Sequence, residues 1–257
     1  MSNFRQLYIV MNIKFIKRGL LILLTLLISS SSLLRASNAI ENNEESSSEI
    51  KKEKVVYITF DDGPCGDITN EVLDILKKEN VPATFFVIGS LVKGQENIVL
   101  RMKNEGHAIG LHSFSHERSK LYCNDESFLN ETLQCQETLY EVTGENYNII
   151  RFPFGCNNKS YKLTKNLVNA LHEKNFKLYD WNIDSGDGAN ASLSPQNIVK
   201  RSCKTQKSNA IVLMHCSYVH RNSVLALPCI IRHYKENDYI FKVIDENTPE
   251  VYKIMKR

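Results

Sequence analysis

Seven short runs rich in apolar and β-branched residues recur along this chain, at 55–60, 83–88, 108–111, 149–152, 177–181, 210–214 and 239–244. Runs of that length and composition read as β-strands. The stretches between them carry helical spacing, clearest over 69–78, where Val72, Leu73, Ile75 and Leu76 share a face, and over 163–173. Asp67 or Thr69 is placed to cap the first of these helices, and Ser194-Pro195 supplies an N-cap followed by proline at the first helical position. Strand and helix alternate, which implies a parallel sheet. Alternation alone fits an open doubly wound sheet and an irregular barrel equally well. In both, ligands bind at the C-terminal edge of the strands. Five polar segments fall on that edge: Thr59 to Pro64, His112 to His116, Arg151 to Gly155, Asp180 to Asp187 and Leu213 to His215.

Asp61 and Asp62 are adjacent at the end of the first strand, so their side chains start in different directions and can serve different tasks. His112 and His116 are four apart, a spacing that places two imidazoles on one face of a helical turn. Two imidazoles and one carboxylate make up the three protein ligands of an open catalytic zinc site, with a place left for water. Cobalt, manganese and nickel suit the same nitrogen and oxygen donors.

Together the five segments, spanning about 54–244, resemble the polysaccharide deacetylases, carbohydrate esterases of the NodB-homology type that remove acetyl groups from N-acetylated sugars in polymers. The resemblance implies α/β architecture, a single distorted (β/α) barrel of seven parallel strands. It implies Asp62, His112 and His116 as metal ligands, Asp61 as the base that takes the water proton, and His215 as the acid that protonates the departing amine from the other side. Arg151 pairs with Asp61 in this pattern, and a cation beside a carboxylate favours its charged form. The backbone N–H of Phe154 helps to hold the oxyanion, Pro153 stands with it on the substrate side, and many relatives carry Tyr in place of Phe154. Asp187 orients His215, with Asp184 in the same loop as the alternative. Leu213 faces the acetyl methyl, and Trp181, the single tryptophan, is placed either to stack on a sugar or to fill the core. Gly188 departs from the pattern, standing where many relatives have an aromatic residue.

The expected substrate is N-acetylglucosamine in peptidoglycan. Chitin oligomers, an exopolysaccharide and O-acetylated xylan are alternatives within the same chemistry. A member of a different class, an inactive carbohydrate-binding wall protein, would be marked by a lost ligand or base, and none is lost. The net charge of +3 gives no reason to expect nucleic acid as a partner. A monomer is expected.

Residues 1–39 read as a signal peptide or N-terminal membrane anchor: Lys14, Lys17 and Arg18 precede an apolar run from Gly19 to Ile28 and then small residues. Export to the cell surface or beyond follows. Residues 40–53 are polar and acidic and read as a linker, leaving 54–257 as the catalytic domain. Seven cysteines are an odd number, so at least one thiol is unpaired within the chain. Cys65, Cys156 and Cys216 each follow a predicted strand and are expected to meet at the rim of the site.

Overall fold

The computed structural model describes residues 53–159, 161–204 and 207–255. The expected leader and nearly all of the expected linker lie outside the described residues. Among the described residues no helix is long and apolar enough to cross a membrane.

In chain order the elements are β1 (Lys54–Gly63), α1 (Gly66–Glu79), β2 (Thr84–Val87), α2 (Glu96–Asn104), β3 (Ala108–Leu111), α3 (Arg118–Leu121), α4 (Asp125–Thr143), β4 (Ile149–Ile150), α5 (Lys165–Glu173), β5 (Lys177–Leu178), β6 (Ile183–Asp184), α6 (Pro195–Ser202), β7 (Asn209–His215), α7 (Arg221–Glu236) and β8 (Tyr239–Phe241). Seven strands lie in the order β5-β4-β3-β2-β1-β7-β6, every ladder parallel. β8 pairs only with the first three residues of β1, before β2 takes over at Thr59. The sheet curls into a half-barrel, the distorted barrel that the motifs imply.

The distortion has a local cause. β5 runs beside β4, yet four residues later β6 runs beside β7 at the other end of the sheet. Asn182 anchors that crossing, donating its N–H to Ile211 O (3.2 Å) and accepting from Ile211 N–H on its side chain (3.0 Å). One segment, 177–184, therefore spans the gap instead of a ladder. β6 is the strand that no apolar run reveals, because Ile183 stands alone among Asn182, Asp184 and Ser185.

Strand alternation sorts the core into two layers. Val56, Ile58 and Phe60 of β1, with Ala210, Val212 and Met214 of β7, point outward and pack under the helices. Val55 and Tyr57 of β1, Phe86 of β2, Ile149 of β4 and Ile211 of β7 point inward and form a smaller cluster inside the curl. Thr59, Asp61, Arg151, Leu213 and His215 continue the inward phase toward the C-terminal edge. The same period that fills the interior with apolar side chains thus delivers polar ones at the mouth.

Helix ends follow the sequence signals in part. Ser194 caps α6 by accepting from Asn197 N–H, with Pro195 at the first turn, as expected. Neither Asp67 nor Thr69 is the N-cap of α1; that residue is Cys65, whose N–H is taken by Thr69 Oγ1 from inside the helix (2.8 Å).

Gly110 of β3 marks a close approach inside the curl. A Cβ there would lie 2.6 Å from Phe86 Cδ1 and 3.0 Å from Ile149 Cγ1, and Phe86 carries the Arg151 guanidinium 4.1 Å above its ring. Gly110→Ala is expected to cost about 1–3 kcal/mol through overpacking, several degrees in Tm for a domain of this size. Thermal melting checks it; an unchanged midpoint would mean that Phe86 has room to shift.

Candidate active site

Asp61 and Asp62 reach the same mouth only because β1 is irregular. Asp61 pairs in register with Phe86 and Gly63 with Val87, so Asp62 is an extra residue in the ladder. It takes a left-handed conformation, φ 68°. A regular pleat would send Asp62 outward under the helices, and the bulge turns it back to the mouth.

His112 follows the last residue of β3 in the inward phase and is buried. The helical turn expected over His112 to His116 does not form. The segment between Leu111 and Arg118 is a loop, with Ser113 at φ 67° and His116 at φ 57°. Loop geometry, not an i, i+4 helical face, brings the imidazoles together, their centroids 5.2 Å apart.

Asp62 Oδ1 lies 3.5 Å from His112 Nε2 and 3.4 Å from His116 Nε2. These three donor atoms all lie within 4.8 Å of one another. His112 Nδ1 sits 2.9 Å from the carbonyl oxygen of Arg151. A carbonyl only accepts, so Nδ1 carries the hydrogen and Nε2 presents a lone pair. Burial, then the neighbouring His112, pushes His116 down to about 4, which keeps it neutral near pH 7. Asp62 Oδ1 is buried and has no hydrogen-bond partner among the described residues. The Asp62 oxygen and the two imidazole nitrogens thus face one another at 3.4 and 3.5 Å, an arrangement that a cation between them would relieve. The residues fit a divalent metal.

The other half of the mouth is built on Asp187. Its Oδ1 is 2.8 Å from His215 Nδ1 and accepts from Ser185 O–H (2.7 Å); its Oδ2 accepts from His215 N–H (2.9 Å) and Ser223 O–H (2.6 Å). Asp184 is turned away, accepting from Gly186 N–H and facing Arg201, so the partner of His215 is Asp187. Burial alone would push His215 down, but the bond and charge of Asp187, with Asp61 and Asp62 behind, outweigh it and raise the imidazole to about 9. Asp187 is likewise pushed up by burial and pulled down further by His215, Ser223 and Ser185, to about 2.

Arg151 is fully buried beneath both halves. It donates from Nη1 to Asp61 Oδ1 (2.9 Å) and Thr59 Oγ1 (2.6 Å), from Nε to Tyr179 O (2.9 Å) and from Nη2 to Asp180 O (3.3 Å).

Above these groups opens a cavity of about 300 Å³ whose wall includes Asp61, Asp62, Leu213 and His215 with Phe154 and Trp181. Phe154, at φ 66°, lays its ring 4.7 Å from that of His116, with the Arg118 guanidinium 3.9 Å from the ring centre. Pro153 is not in the wall; it is buried behind it, its carbonyl taking the Tyr122 hydroxyl (2.5 Å). Gly188 lies so close to His215 that a Cβ would come within 2.3 Å of Cε1, leaving this backbone no room for a side chain.

The sequence motifs do not include His220. It lines the cavity, its ring 5.0 Å from that of His215 and its Nδ1 2.6 Å from Ser217 Oγ. Its place five residues after His215 was the only clue. Thr59, Ser185 and Ser223, which hold Arg151 and Asp187, carry no sequence signal of that role. The expected meeting of three thiols does not occur either. Cys65 and Cys216 are buried beneath Asp61 and Asp62, contacting their carbonyls, whereas Cys156 packs beside Asp180, Asn157 and Lys253. All seven cysteines are unbridged.

Comparison with known proteins identifies the family. The sequence pattern described as polysaccharide deacetylase matches residues 48–179. The chain belongs to the polysaccharide deacetylase family. It is therefore a hydrolase of the carbohydrate esterase family 4 type, and the Asp62, His112 and His116 cluster is its candidate metal site. A peptidoglycan-N-acetylglucosamine deacetylase of Bacillus cereus is 37% identical over 206 residues, covering 77% of this chain and 72% of the relative. A peptidoglycan-N-acetylmuramic acid deacetylase of Bacillus subtilis is 35% identical over 197 residues, covering 76% and 72%. The crystal structure of a polysaccharide deacetylase from Bacillus cereus superposes with a TM-score of 0.71 at 35% identity, covering 78% of this chain and 97% of that one.

The Asp187 bond predicts the titration of the metal-free deacetylase. Its His215 should titrate near 9, against an ordinary value of 6.5. With the folded value raised, His215 stabilises the fold below pH about 6.5, and that contribution is lost as pH rises through about 9. Asp187→Asn should bring the midpoint down, followed by the imidazole proton resonance. An unchanged midpoint would assign the shift to Asp61 and Asp62 instead.

Proposed function

We propose that this deacetylase removes acetyl groups from N-acetylglucosamine units of peptidoglycan, with Asp61 as base, His215 as acid and a divalent metal, zinc by preference, held by Asp62, His112 and His116. The observation that carries the reading is the buried, partnerless Oδ1 of Asp62 between two imidazole nitrogens. When bound, a divalent cation supplies Lewis acidity, polarising the acetyl carbonyl and lowering the pKa of water from about 15.7 towards about 7. Cobalt, manganese and nickel suit the same donors.

The protein groups divide the proton transfers. Arg151 ties up Oδ1 of Asp61, while Oδ2 lies 3.7 Å from His112 Nε2, beside the cluster. That leaves one oriented oxygen to take the proton from the attacking water. His215 gives its Nδ1 hydrogen to Asp187, so Nε2 is the nitrogen left to protonate the amine as the carbon–nitrogen bond breaks. Its raised pKa keeps the proton in place at neutral pH. The products are acetate and a free amino sugar. Leu213 in the cavity wall suits the acetyl methyl, and the Phe154 amide is the candidate donor to the oxyanion.

The choice of glucosamine over muramic acid rests on the peptidoglycan-N-acetylglucosamine deacetylases among the relatives. Export through the 1–39 leader accords with a cell-wall substrate.

Acetate release from peptidoglycan should be abolished by chelator and restored by zinc or cobalt, with mass spectrometry of digested fragments placing the free amine on glucosamine. Free amine on muramic acid would overturn the substrate assignment. Asp61→Asn should keep the metal and lose about 10²–10⁴-fold in turnover, whereas His112→Ala should lose metal and turnover together. Equal metal loss in both variants would remove Asp61 from the role of base.

A further inference from the structure

We infer that Glu131 of α4 is a positioning residue for the metal site: it clamps the loop that carries His116 and so sets how tightly the cation is held. This rests on the metal reading of Asp62, His112 and His116.

The loop needs a clamp. Ser113 and His116 both lie in the left-handed region, which residues other than glycine occupy mainly where surrounding contacts over-determine them. Some of those contacts come from the sheet side: Gly89 N–H donates to Ser113 O (3.0 Å) and Ser90 N–H to Phe114 O (2.9 Å). Ser113 Oγ accepts from His116 N–H (3.0 Å) within the loop. What remains is the stretch around His116, and Glu131 takes it. Its Oε2 accepts from Ser115 N–H (2.7 Å), and the Ser115 hydroxyl lies 2.9 Å from both carboxylate oxygens. Ser115 Oγ in turn accepts from Glu117 N–H (3.2 Å). The carboxylate therefore grips the chain on both sides of His116, directly before it and through the hydroxyl after it.

The location of Glu131 fits no simpler role. It occupies the core-facing side of α4 with Phe128, Thr132, Cys135 and Leu139 and is 9% exposed. An apolar residue would pack there without the desolvation that a carboxylate suffers, so the carboxylate is favoured only if its acceptors are used. The helix that carries it is a fixed platform: a Cβ on Gly89 would come within 3.1 Å of Cys135 Cα, so α4 lies against the turn after β2 at backbone distance. Partners that orient a metal ligand commonly tune its affinity, and Glu131 acts on His116 through the chain on either side of it.

The test is the metal dissociation constant of the full-length protein, measured with zinc against a chromophoric chelator, for wild type, Glu131→Ala, Glu131→Gln, Ser115→Ala and the double variant. Glu131→Ala should bind about 10–100-fold more weakly. Glu131→Gln, which keeps one acceptor, should recover part of the loss. The double variant should bind no worse than Glu131→Ala, because both changes break one contact. Leu139→Ala, in the same helix but away from the loop, should lower Tm and leave the constant unchanged, which separates positioning from general loss of stability. Wild-type binding with Glu131→Ala within twofold of it overturns this inference alone; a wild type that binds no zinc overturns the metal reading as well. Should Glu131→Ala not fold, Glu131→Gln and Ser115→Ala both within twofold of wild type give the overturning result.

Discussion

The hydrogen-bonded pair of Arg151 and Asp61 inside the curl of the sheet is the constraint on which the rest of this mouth depends. A guanidinium with no exposed surface is tolerable only when its donors are used, and here they reach Thr59, Asp61, Tyr179 and Asp180. Two of those acceptors are carbonyls of the segment that crosses from β4 to β7, so the same side chain that orients an acid of β1 also anchors the closure of the barrel. Its own carbonyl fixes the tautomer of His112. Deleting either charged partner would strand the other in the interior, at about 3–5 kcal/mol in comparable cases.

Around that anchor the fold makes imidazoles of opposite character within one cavity. Burial and a second ring hold His116 neutral, as a ligand requires, while a buried carboxylate holds His215 cationic, as an acid requires. The difference comes from partners and not from residue type, and environments that push like groups apart in pKa are how a single site assigns roles. Asp187 is committed through four hydrogen bonds. Asp62 is left with an oxygen that no group among the described residues satisfies.

What the sequence made legible was whatever repeats with a short period. β1 and β7 alternate cleanly between two buried layers, and apolar runs found all the strands except β6, whose Ile183 stands alone among polar residues. The N-cap at Ser194 was readable because a side chain next to a proline specifies it locally. Local reading failed where tertiary contacts decide. The four-residue spacing of His112 and His116 suits a helix, yet the loop is shaped by bonds to Gly89, Ser90 and Glu131, the last of them fifteen residues from His116 in sequence and on another element. Asp184 and Asp187 are indistinguishable by position, and only the fold of their loop onto β7 and α7 separates them. The bulge at Asp62 is equally silent, since an aspartate pair at a strand end is compatible with a regular pleat.

Trp181, the single tryptophan in 257 residues, stands in the cavity wall with Gly155 closed against its ring, where a Cβ would lie 3.0 Å from Cη2. Light absorbed at wavelengths selective for indole is therefore emitted from the mouth and from nowhere else in the chain. The protein carries its own optical reporter at the place where sugar and metal would arrive, with no label to attach and no second emitter to subtract.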